Sequence, residues 1–321
     1  MVDLYAIFNK LQGTGDNKHF VTEKVSSTLP HRLGSSQELY PLFFVECIDE
    51  IPSANISLKQ VHVNFNQVCN LRASDGHTIT QKFTIILLKS QEEDLQKYFL
   101  ELICLLLEKL PPRPTIASLK GELFKVISLF ATPPAFSQEA IKGLWAELFV
   151  IARSHNPIYL INSWHISKED KYDFNDGIDK VEVKATRNSD RTHTFSIEQL
   201  NPNADSRLII ASIITTPSGQ GTNIFDLIDL ISMNVANIDA LLKLKEQVYL
   251  TIGPNIDASK GVRFDMNMAI STYKLVYYSD IPTIPLSAIP SGVSDIHFKS
   301  CLRDTLAADL SSTLSQLHRS L

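Results

Sequence analysis

The spacing of apolar residues divides the chain into two parts that meet at a proline cluster. Before the cluster, strand-like runs lead into one long apolar helix, and after it helices alternate with strands. The cluster Pro111–Pro114 cannot continue a helix, because proline lacks the amide hydrogen and clashes with the preceding turn. We therefore predict an N-terminal α+β module over residues 1–110 and a second domain over residues 111–321.

The first part shows the two periodicities that distinguish helices from strands. Apolar residues that recur every three or four positions predict helices, and alternating or short continuous apolar runs predict strands. The last helix is apolar around most of its circumference, so we expect it to be buried between layers. The predicted elements are helix Leu4–Leu11, strands Leu39–Cys47, Val61–Phe65 and Ile79–Leu88, and helix Ser90–Leu110.

The second part predicts an α/β fold with a mixed central β-sheet flanked by helices. Ser137 is a suitable cap for the helix that follows it. The predicted helices are Thr115–Phe130, Ser137–Arg153, Ile224–Ile231, Val235–Val248 and Ser300–Leu321. The predicted strands are Ile158–Ile161, His193–Leu200, Leu208–Ile214, Val262–Ile270 and Thr272–Tyr278.

One predicted hairpin, Asp173–Thr186, concentrates charge on one side of a strand. Residues 173–179 are typical of a turn, and apolar residues then alternate with Glu182 and Lys184. The turn would bring Asp173 beside these two side chains. Paired carboxylates suit Mg²⁺, which prefers hard oxygen ligands, and a nearby ammonium can orient a water or stabilise charge on a phosphate.

A surface ion pair is the alternative interpretation of this strand. An acid followed two residues later by lysine occurs three times in the chain, at Asp16–Lys18, Glu169–Lys171 and Glu182–Lys184. The first two lie in polar, loop-like surroundings, so the triplet alone carries little information. A solvated pair on an edge strand would contribute only about 0–1 kcal/mol.

A further glutamate precedes the hairpin. Glu147 lies at the border of the apolar stripe of the helix Ser137–Arg153, in the run Gly143–Leu148. A side chain at such a border can face a cleft while its helix is packed. An ordinary helix-surface glutamate would occupy the same position.

Four pieces of sequence together resemble a known family. The acid Asp173 followed by Glu182-Val183-Lys184 resembles the core of the PD-(D/E)XK nuclease superfamily, with Tyr172 at the place of its proline. With the upstream run 143–148, and with Thr186-Arg187 and His193–Leu200 downstream, the chain is similar to a bacterial family of PD-(D/E)XK motif proteins often found near phage-defence genes. The specific part of the resemblance covers about residues 140 to 200, and it implies a restriction-endonuclease-like core.

The resemblance implies a role for each residue of the core. Asp173 and Glu182 would bind Mg²⁺ or Mn²⁺, to which the carbonyl of Val183 could also contribute. Lys184 would position the attacking water, and Glu147 would hold a second metal ion or a metal-bound water.

The resemblance also suggests substrate-binding residues. Arg187 and Arg191 would contact phosphate, and His193 and Gln199 lie where superfamily members often place an active-site polar residue. Structural roles are equally compatible with the last two. Residues 164–193 contain six Lys or Arg and seven acids, so the sequence shows no local basic patch.

The implied function is Mg²⁺-dependent hydrolysis of DNA in restriction or phage defence. The chain contains no phosphate-binding loop, so any ATPase would be a partner chain, alongside other subunits of a defence system. A homodimer would also be compatible with the sequence. A non-catalytic scaffold or DNA-binding subunit of the same fold is the alternative, and an RNA nuclease would have the same pattern.

The composition is that of a globular protein of the cytoplasm. Hydrophobic residues make up 44% of the 321 residues, charged residues 20%, and the net charge is −5, which argues against a general polyanion binder. The N-terminus resembles no signal peptide and no apolar run could span a membrane. The scattered cysteines are predicted to be buried in a reducing compartment; they are Cys47, Cys69, Cys104 and Cys301.

Overall fold

Two compact units make up the protein. The structure is a computed structural model and describes residues 3–13, 19–58, 60–73, 76–127, 136–165, 170–203 and 205–321. Tertiary contacts group Met1–Ala135 with Val248–Ile256 in the first unit, and Phe136–Gln247 with Asp257–Leu321 in the second.

The described residues form helices and strands in an interleaved order. The helices are α1 (Leu4–Leu11), α2 (Glu93–Lys109), α3 (Ile116–Ile127), α4 (Gln138–Arg153), α5 (Pro157–Ser163), α6 (Ile224–Asn234), α7 (Ile238–Ile252), α8 (Ile256–Lys260), α9 (Met266–Thr272) and α10 (Gln316–Arg319). The strands are β1 (Phe20–Lys24), β2 (Arg32–Ser35), β3 (Pro41–Val45), β4 (Ile56–Ser57), β5 (Val61–Ala73), β6 (Thr78–Leu88), β7 (Phe174–Asn175), β8 (Lys180–Thr186), β9 (Thr192–Ser196), β10 (Leu208–Ile214), β11 (Pro217–Thr222), β12 (Lys274–Tyr277) and β13 (His297–Cys301).

The first unit is built on a sheet that closes on itself. Its strands follow the order β1-β2-β3-β6-β5-β4, and β1 also pairs with β5 in parallel, so five strands form a ring. The apolar helix α2 packs beside this sheet, with the rings of Phe43 and Phe99 6.0 Å apart. The prediction that this helix is buried is correct, since Phe99 is completely buried. The strands β1 and β2 lie where we predicted none.

Helix α3 is joined to the first unit by its N-terminal end. The carboxylate of Asp49 accepts a hydrogen bond from the Ile116 amide at 2.9 Å, which satisfies one of the unpaired donors at the start of the helix. The Arg113 side chain forms a salt bridge of 3.1 Å with Glu46. Tertiary contacts therefore place the change from the first to the second unit after residue 135. That residues 1–110 fold independently of the rest of the chain stays a prediction.

The second unit contains a four-stranded mixed sheet in the order β12-β10-β8-β7. The two central strands, β8 and β10, are parallel, and each has an antiparallel neighbour on its outer side. Helix α4 contacts β8 and also packs against α6. This arrangement confirms the predicted α/β fold with a mixed central sheet and flanking helices, of the restriction-endonuclease-like kind.

One face of the central sheet is covered by a two-stranded ribbon. Strands β9 and β13 pair with each other, and Phe195 of β9 forms a core cluster with Ile210 of β10 and Val276 of β12. The register pairs Ile210 with Glu182, so Glu182 and Lys184 of β8 project toward the face that the ribbon covers.

Two predicted strands are helices in the structure. Residues 158–161 lie in α5, because the Asn156 side chain caps the Tyr159 amide at 3.2 Å and Pro157 favours the first helical position. Residues 266–270 lie in α9, which Asp265 caps through the Met268 amide at 3.0 Å. In both cases a capping side chain outweighs a strand-like apolar pattern over a short stretch.

The predicted C-terminal helix is also wrong for most of its length. Residues 297–301 form β13, and α10 is limited to Gln316–Arg319. The last residues nevertheless pack tightly: His318 is buried, and its Nε2 lies 3.1 Å from the carbonyl oxygen of Lys180, the first residue of β8. The Ser154 hydroxyl donates to the Ser320 carbonyl at 2.6 Å.

Two further predictions can be compared with the described part of the chain. Cys69 and Cys104 are buried as free thiols, whereas Cys47 is only partly buried and Cys301 is exposed, so the prediction of four buried cysteines is wrong. Within the described ranges, no helix is long and apolar enough to cross a membrane. The triplet 16–18, Glu169 and the predicted helix end at 128–130 lie outside the described residues.

Candidate active site

A tight hairpin delivers the predicted acid to the edge of the central sheet. Gly177 turns the chain with a φ of 97°, a conformation that favours glycine. The Asn175 side chain accepts a hydrogen bond from the Gly177 amide at 2.9 Å, and Asp176 accepts one from the Asp179 amide at 2.8 Å. Strands β7 and β8 then pair antiparallel, with Phe174 opposite Val181, which confirms the predicted hairpin.

The backbone register aligns three ionisable side chains in one row across the sheet edge. Trp164 forms an antiparallel bridge with Phe174, which in turn lies opposite Val181. Continuing both pairings by one residue places His165 beside Asp173, and Asp173 beside Glu182. The His165 amide donates to the Asp173 carbonyl at 2.8 Å, which fixes this alignment.

Glu147 approaches the same row from α4. Ser137 caps this helix through the Ala140 amide at 3.2 Å, as predicted. The Glu147 Oε2 accepts the indole hydrogen of Trp164 at 2.6 Å and lies 3.1 Å from Nε2 of His165. One potential ligand atom from each of Glu147, His165 and Asp173 lies within 4.8 Å of the others, and all three residues are half-buried.

Glu182 and Lys184 form a second group that adjoins this cluster. The Lys184 Nζ lies 2.7 Å from Glu182 Oε1. The amide of Gln199 bridges the pair, because its Nε2 donates to Glu182 Oε1 at 2.6 Å and its Oε1 accepts from Lys184 Nζ at 3.1 Å. The two charged side chains are thus held by a neutral third residue.

The electrostatics of the site indicate a deficit of positive charge. Burial raises the pKa of Asp173 well above its usual range, and the charges of Glu182 and Glu147 raise it further. Burial also raises the pKa of Glu182, against the opposing effect of Lys184. Among the described residues, the buried Oε2 of Glu182 has no hydrogen-bond partner.

These observations make the site suitable for a divalent cation. Leaving a buried carboxylate oxygen without a partner is costly, and crowded carboxylates repel each other. A cation between Glu147, His165 and Asp173 would offset that repulsion, and oxygen and imidazole atoms are its usual ligands in proteins. The donor set therefore fits a metal ion.

Most of the predicted core residues meet in this region. The structure brings Glu147 and Asp173 together and places Glu182 and Lys184 beside them. The Val183 amide donates to Asp173 Oδ2 at 2.6 Å, which ties the two strands together beside the cluster. The metal-binding roles stay predictions.

The sequence interpretation missed His165. The signal that could have revealed it is the aromatic pair Trp164 and Phe174, whose stacked rings lie 6.5 Å apart and align the two segments.

A cleft of about 520 Å³ begins at Lys184. Its lining includes Lys142 from α4, Arg187 after β8 and Lys299 from β13, with Glu139 as the acidic contribution. The sequence showed no basic patch because these cations lie far apart along the chain. Folding assembles a cationic surface in a protein of net charge −5.

The remaining predicted substrate residues occupy different environments. Arg187 is exposed in the cleft lining. The Arg191 guanidinium donates to the Ser212 hydroxyl at 3.0 Å and to the Thr272 carbonyl, which gives it a structural role. His193 is buried, 2.8 Å from the Ser212 hydroxyl, and burial lowers its pKa to about 3, so its ring is neutral at pH 7.

Comparison with known proteins identifies the family. The chain has no significant match among curated proteins or among solved structures. A family model described as "Putative PD-(D/E)XK family member, (DUF4420)" matches residues 6–303. The PD-(D/E)XK superfamily consists mainly of nucleases, and its fold typically uses divalent metal ions. The match extends over most of the chain, well beyond the hairpin, and the chain therefore belongs to this PD-(D/E)XK family.

Proposed function

We propose that the protein is a nuclease that uses Mg²⁺ or Mn²⁺ to hydrolyse phosphodiester bonds in DNA. The observation that carries the proposal is the Glu147, His165 and Asp173 cluster, which adjoins the Glu182 and Lys184 pair, together with the cationic cleft that Lys184 lines. A binding module would gain nothing from carboxylates beside phosphate, since like charges repel. A scaffold role is therefore less consistent with this site.

The carboxylates and the lysine would have different roles in hydrolysis. Glu147, Asp173 and Glu182 would hold the cation through carboxylate oxygens. When bound, a divalent cation supplies a Lewis acid that lowers the pKa of a water and offsets charge on a phosphate. The ammonium of Lys184 would donate a hydrogen bond to the attacking water or to a phosphate oxygen, and Gln199 would hold that ammonium in place.

The cleft provides the path for the substrate backbone. Lys142, Arg187 and Lys299 would contact successive phosphates and lead a scissile group to Lys184. Such contacts would give affinity without sequence selection, because phosphates are the same at every nucleotide. We place the activity in the cytoplasm and in restriction or phage defence, on the basis of the family resemblance, with an ATPase and other subunits as separate partner chains.

A cleavage assay tests the proposal. Purified protein, alone and with its partner chains, should nick or cut DNA with Mg²⁺ or Mn²⁺ and should be inactive with EDTA. Asp173→Ala should abolish the activity because it removes a carboxylate from the cluster. Lys82→Ala, which removes a half-exposed lysine paired with Glu50 in the first unit, is the matched control and should cut at the wild-type rate. DNA cleavage by the Asp173→Ala variant at the wild-type rate would contradict the proposal.

A further inference from the structure

His165 lies beside the carboxylates of Glu147 and Asp173, outside the Asp173, Glu182 and Lys184 motif. Its Nε2 is 3.1 Å from Glu147 Oε2, and a ring nitrogen lies within 4.8 Å of the ligand atoms of Glu147 and Asp173. We propose that His165 is a direct ligand of the bound cation and makes the site prefer Mn²⁺ to Mg²⁺. This inference rests on the metal site of the proposed function and adds a nitrogen ligand to it.

Hydrogen bonds hold the backbone that leads into His165. The Trp164 bridge to Phe174 sets the register, and the His165 amide donates to the Asp173 carbonyl at 2.8 Å. On the other side, Lys243 donates to the carbonyls of Trp164 at 2.9 Å and Asn162 at 2.8 Å. A ligand whose preceding backbone is held in this way loses less conformational entropy on binding, which favours a preorganised site.

The side chain of Trp164 orients the neighbouring ligand. Its indole donates to the same Glu147 oxygen that faces His165, at 2.6 Å. A second contact of this kind fixes which way a ligating carboxylate points and is a common feature of metal sites. Trp164 thus acts as a positioning residue, while its neighbour His165 offers a ring nitrogen.

The mixture of donor atoms determines the metal preference. Mg²⁺ demands near-ideal octahedral oxygen ligands and binds imidazole poorly. Divalent transition metals accept imidazole together with carboxylates, and Mn²⁺ combines that tolerance with a preference for oxygen. An imidazole among the carboxylates therefore favours Mn²⁺, whereas a site of carboxylates alone would favour Mg²⁺.

A purely orienting role is the alternative for His165. In that case the ring would donate a hydrogen bond to Glu147 with the cation bound, and its nitrogen would never reach the metal. The two roles differ in one observable, because a nitrogen bonded to Mn²⁺ couples magnetically to the unpaired electrons of the ion. Pulsed electron paramagnetic resonance detects that coupling as a ¹⁴N modulation.

The experiment titrates Mn²⁺ and Mg²⁺ separately into the full chain without DNA. Wild type should show the ¹⁴N modulation and bind Mn²⁺ about tenfold or more tightly than Mg²⁺. His165→Ala should lose the modulation and weaken Mn²⁺ binding by about 10-fold to 100-fold, with Mg²⁺ affinity changed by less than about threefold. His297→Ala, which removes an exposed histidine on β13, is the control and should behave as wild type.

A second variant keeps the test decisive if the first fails to fold. His165→Gln offers an amide oxygen in place of the ring nitrogen. The ¹⁴N modulation should therefore disappear, and the ratio of Mn²⁺ affinity to Mg²⁺ affinity should fall. Modulation that persists in either variant, or equal affinities of wild type for both metals, would overturn the inference. If wild type cuts DNA without ¹⁴N coupling, the inference fails and the nuclease function stands. If His165 binds Mn²⁺ but DNA is never cut, the function fails and the inference stands.

Discussion

The ammonium of Lys184 lies 2.7 Å from the Glu182 carboxylate, two residues earlier on the same face of β8. The ring of Phe195 lies 5.2 Å from the Lys184 ammonium and shields the pair, so the Glu182 side chain is 5% exposed and the Lys184 side chain 19%. A charge pair in this position can be preorganised for chemistry, because its solvent is already displaced.

The first prediction separates catalysis from metal binding at this pair. Lys184→Ala should lower the cleavage rate by about 100-fold to 10 000-fold, since it removes the donor to the attacking water or phosphate. Mn²⁺ affinity should change little, because an ammonium is not a ligand. Single-turnover cleavage and calorimetric titration measure the two effects. Wild-type cleavage by Lys184→Ala would show that the lysine has no catalytic role.

Gln199 provides the second prediction, as a positioning residue. Its amide holds both Glu182 and Lys184, and its Oε1 also accepts from the Ser196 amide at 3.2 Å. Gln199→Leu should lower kcat by about tenfold and leave KM within about twofold, since only the transition state needs the aligned ammonium. The free energy of unfolding should fall by about 1–3 kcal/mol.

The control for this variant is Gln91→Leu, an exposed amide of the first unit that donates to the Glu38 carbonyl. It should leave kcat and KM at wild-type values. A rise in KM with unchanged kcat for Gln199→Leu would indicate a substrate contact instead of a positioning role.

The third prediction concerns the stability of the metal-free site. Two carboxylates about 5 Å apart repel by roughly 3 kcal/mol at an effective dielectric constant of about 20. The raised pKa of Asp173, caused by burial and by Glu182 and Glu147, agrees with such repulsion. Asp173→Asn should therefore be at least as stable as wild type without metal, because it removes one of the charges.

Added metal ions should change the relative stability of the two proteins in favour of wild type. A ligand that binds only the folded state raises the melting temperature, so millimolar Mg²⁺ or Mn²⁺ should stabilise wild type more than Asp173→Asn. Thermal melts of both proteins with and without metal provide the measurement. Equal metal responses of the two proteins would favour a surface ion pair over a metal site.

The fourth prediction tests the cationic cleft by salt dependence. Arg187→Ala should weaken DNA binding and reduce the slope of log affinity against log salt by about one, because one phosphate contact is lost. Arg191→Ala should leave that slope unchanged, since its guanidinium is bonded to Ser212 and Thr272. Fluorescence titrations in Mn²⁺-free buffer at several salt concentrations measure both. Identical slopes for wild type and Arg187→Ala would remove Arg187 from the substrate path.

The fifth prediction concerns pH and the base of the hairpin. Arg207 donates to both carboxylate oxygens of Asp179 at 2.8 Å. Burial alone would raise the pKa of Asp179, but the hydrogen bonds from Arg207 and Ser315 outweigh it and lower the pKa. A carboxyl group with a lowered folded pKa stabilises the fold above its unfolded pKa of about 4, and the benefit is lost as the pH falls through the folded value.

Asp179→Asn should therefore lower the free energy of unfolding by about 1–3 kcal/mol at pH 7, and the difference should shrink below a pH of about 4. Urea unfolding at pH 7 and pH 3 measures the difference. Asp295→Asn, at an exposed position, is the control and should have little effect at either pH. A loss of the same size at both pH values would contradict the assigned pKa shift.

The sequence predicts the hairpin and its acids because local patterns encode them. Gly177 and its neighbours require a turn, and alternation assigns Glu182 and Lys184 to one face of β8. The helix α4 and its cap Ser137 are equally local. The hairpin and α4 carry Asp173, Glu182, Lys184 and Glu147, which are the predicted catalytic residues.

The rest of the site depends on contacts between distant segments. His165 reaches the row through a single bridge at Trp164, which leaves no periodic signal. Lys142 and Lys299 line the same cleft although they lie far apart in sequence, so local charge counts could not reveal them. The alternation over residues 266–270 predicts a strand, but the cap Asp265 stabilises the helix α9 there.

The contact between His318 and the carbonyl of Lys180 has a consequence for the timing of synthesis. The two residues are separated by 138 positions, so a ribosome completes β8 long before it adds the histidine that anchors the start of the strand. At about 5–20 residues per second, the delay is on the order of ten seconds. A nascent chain that has completed β8 but has not yet added His318 therefore lacks this contact at the first residue of the strand that carries Glu182 and Lys184.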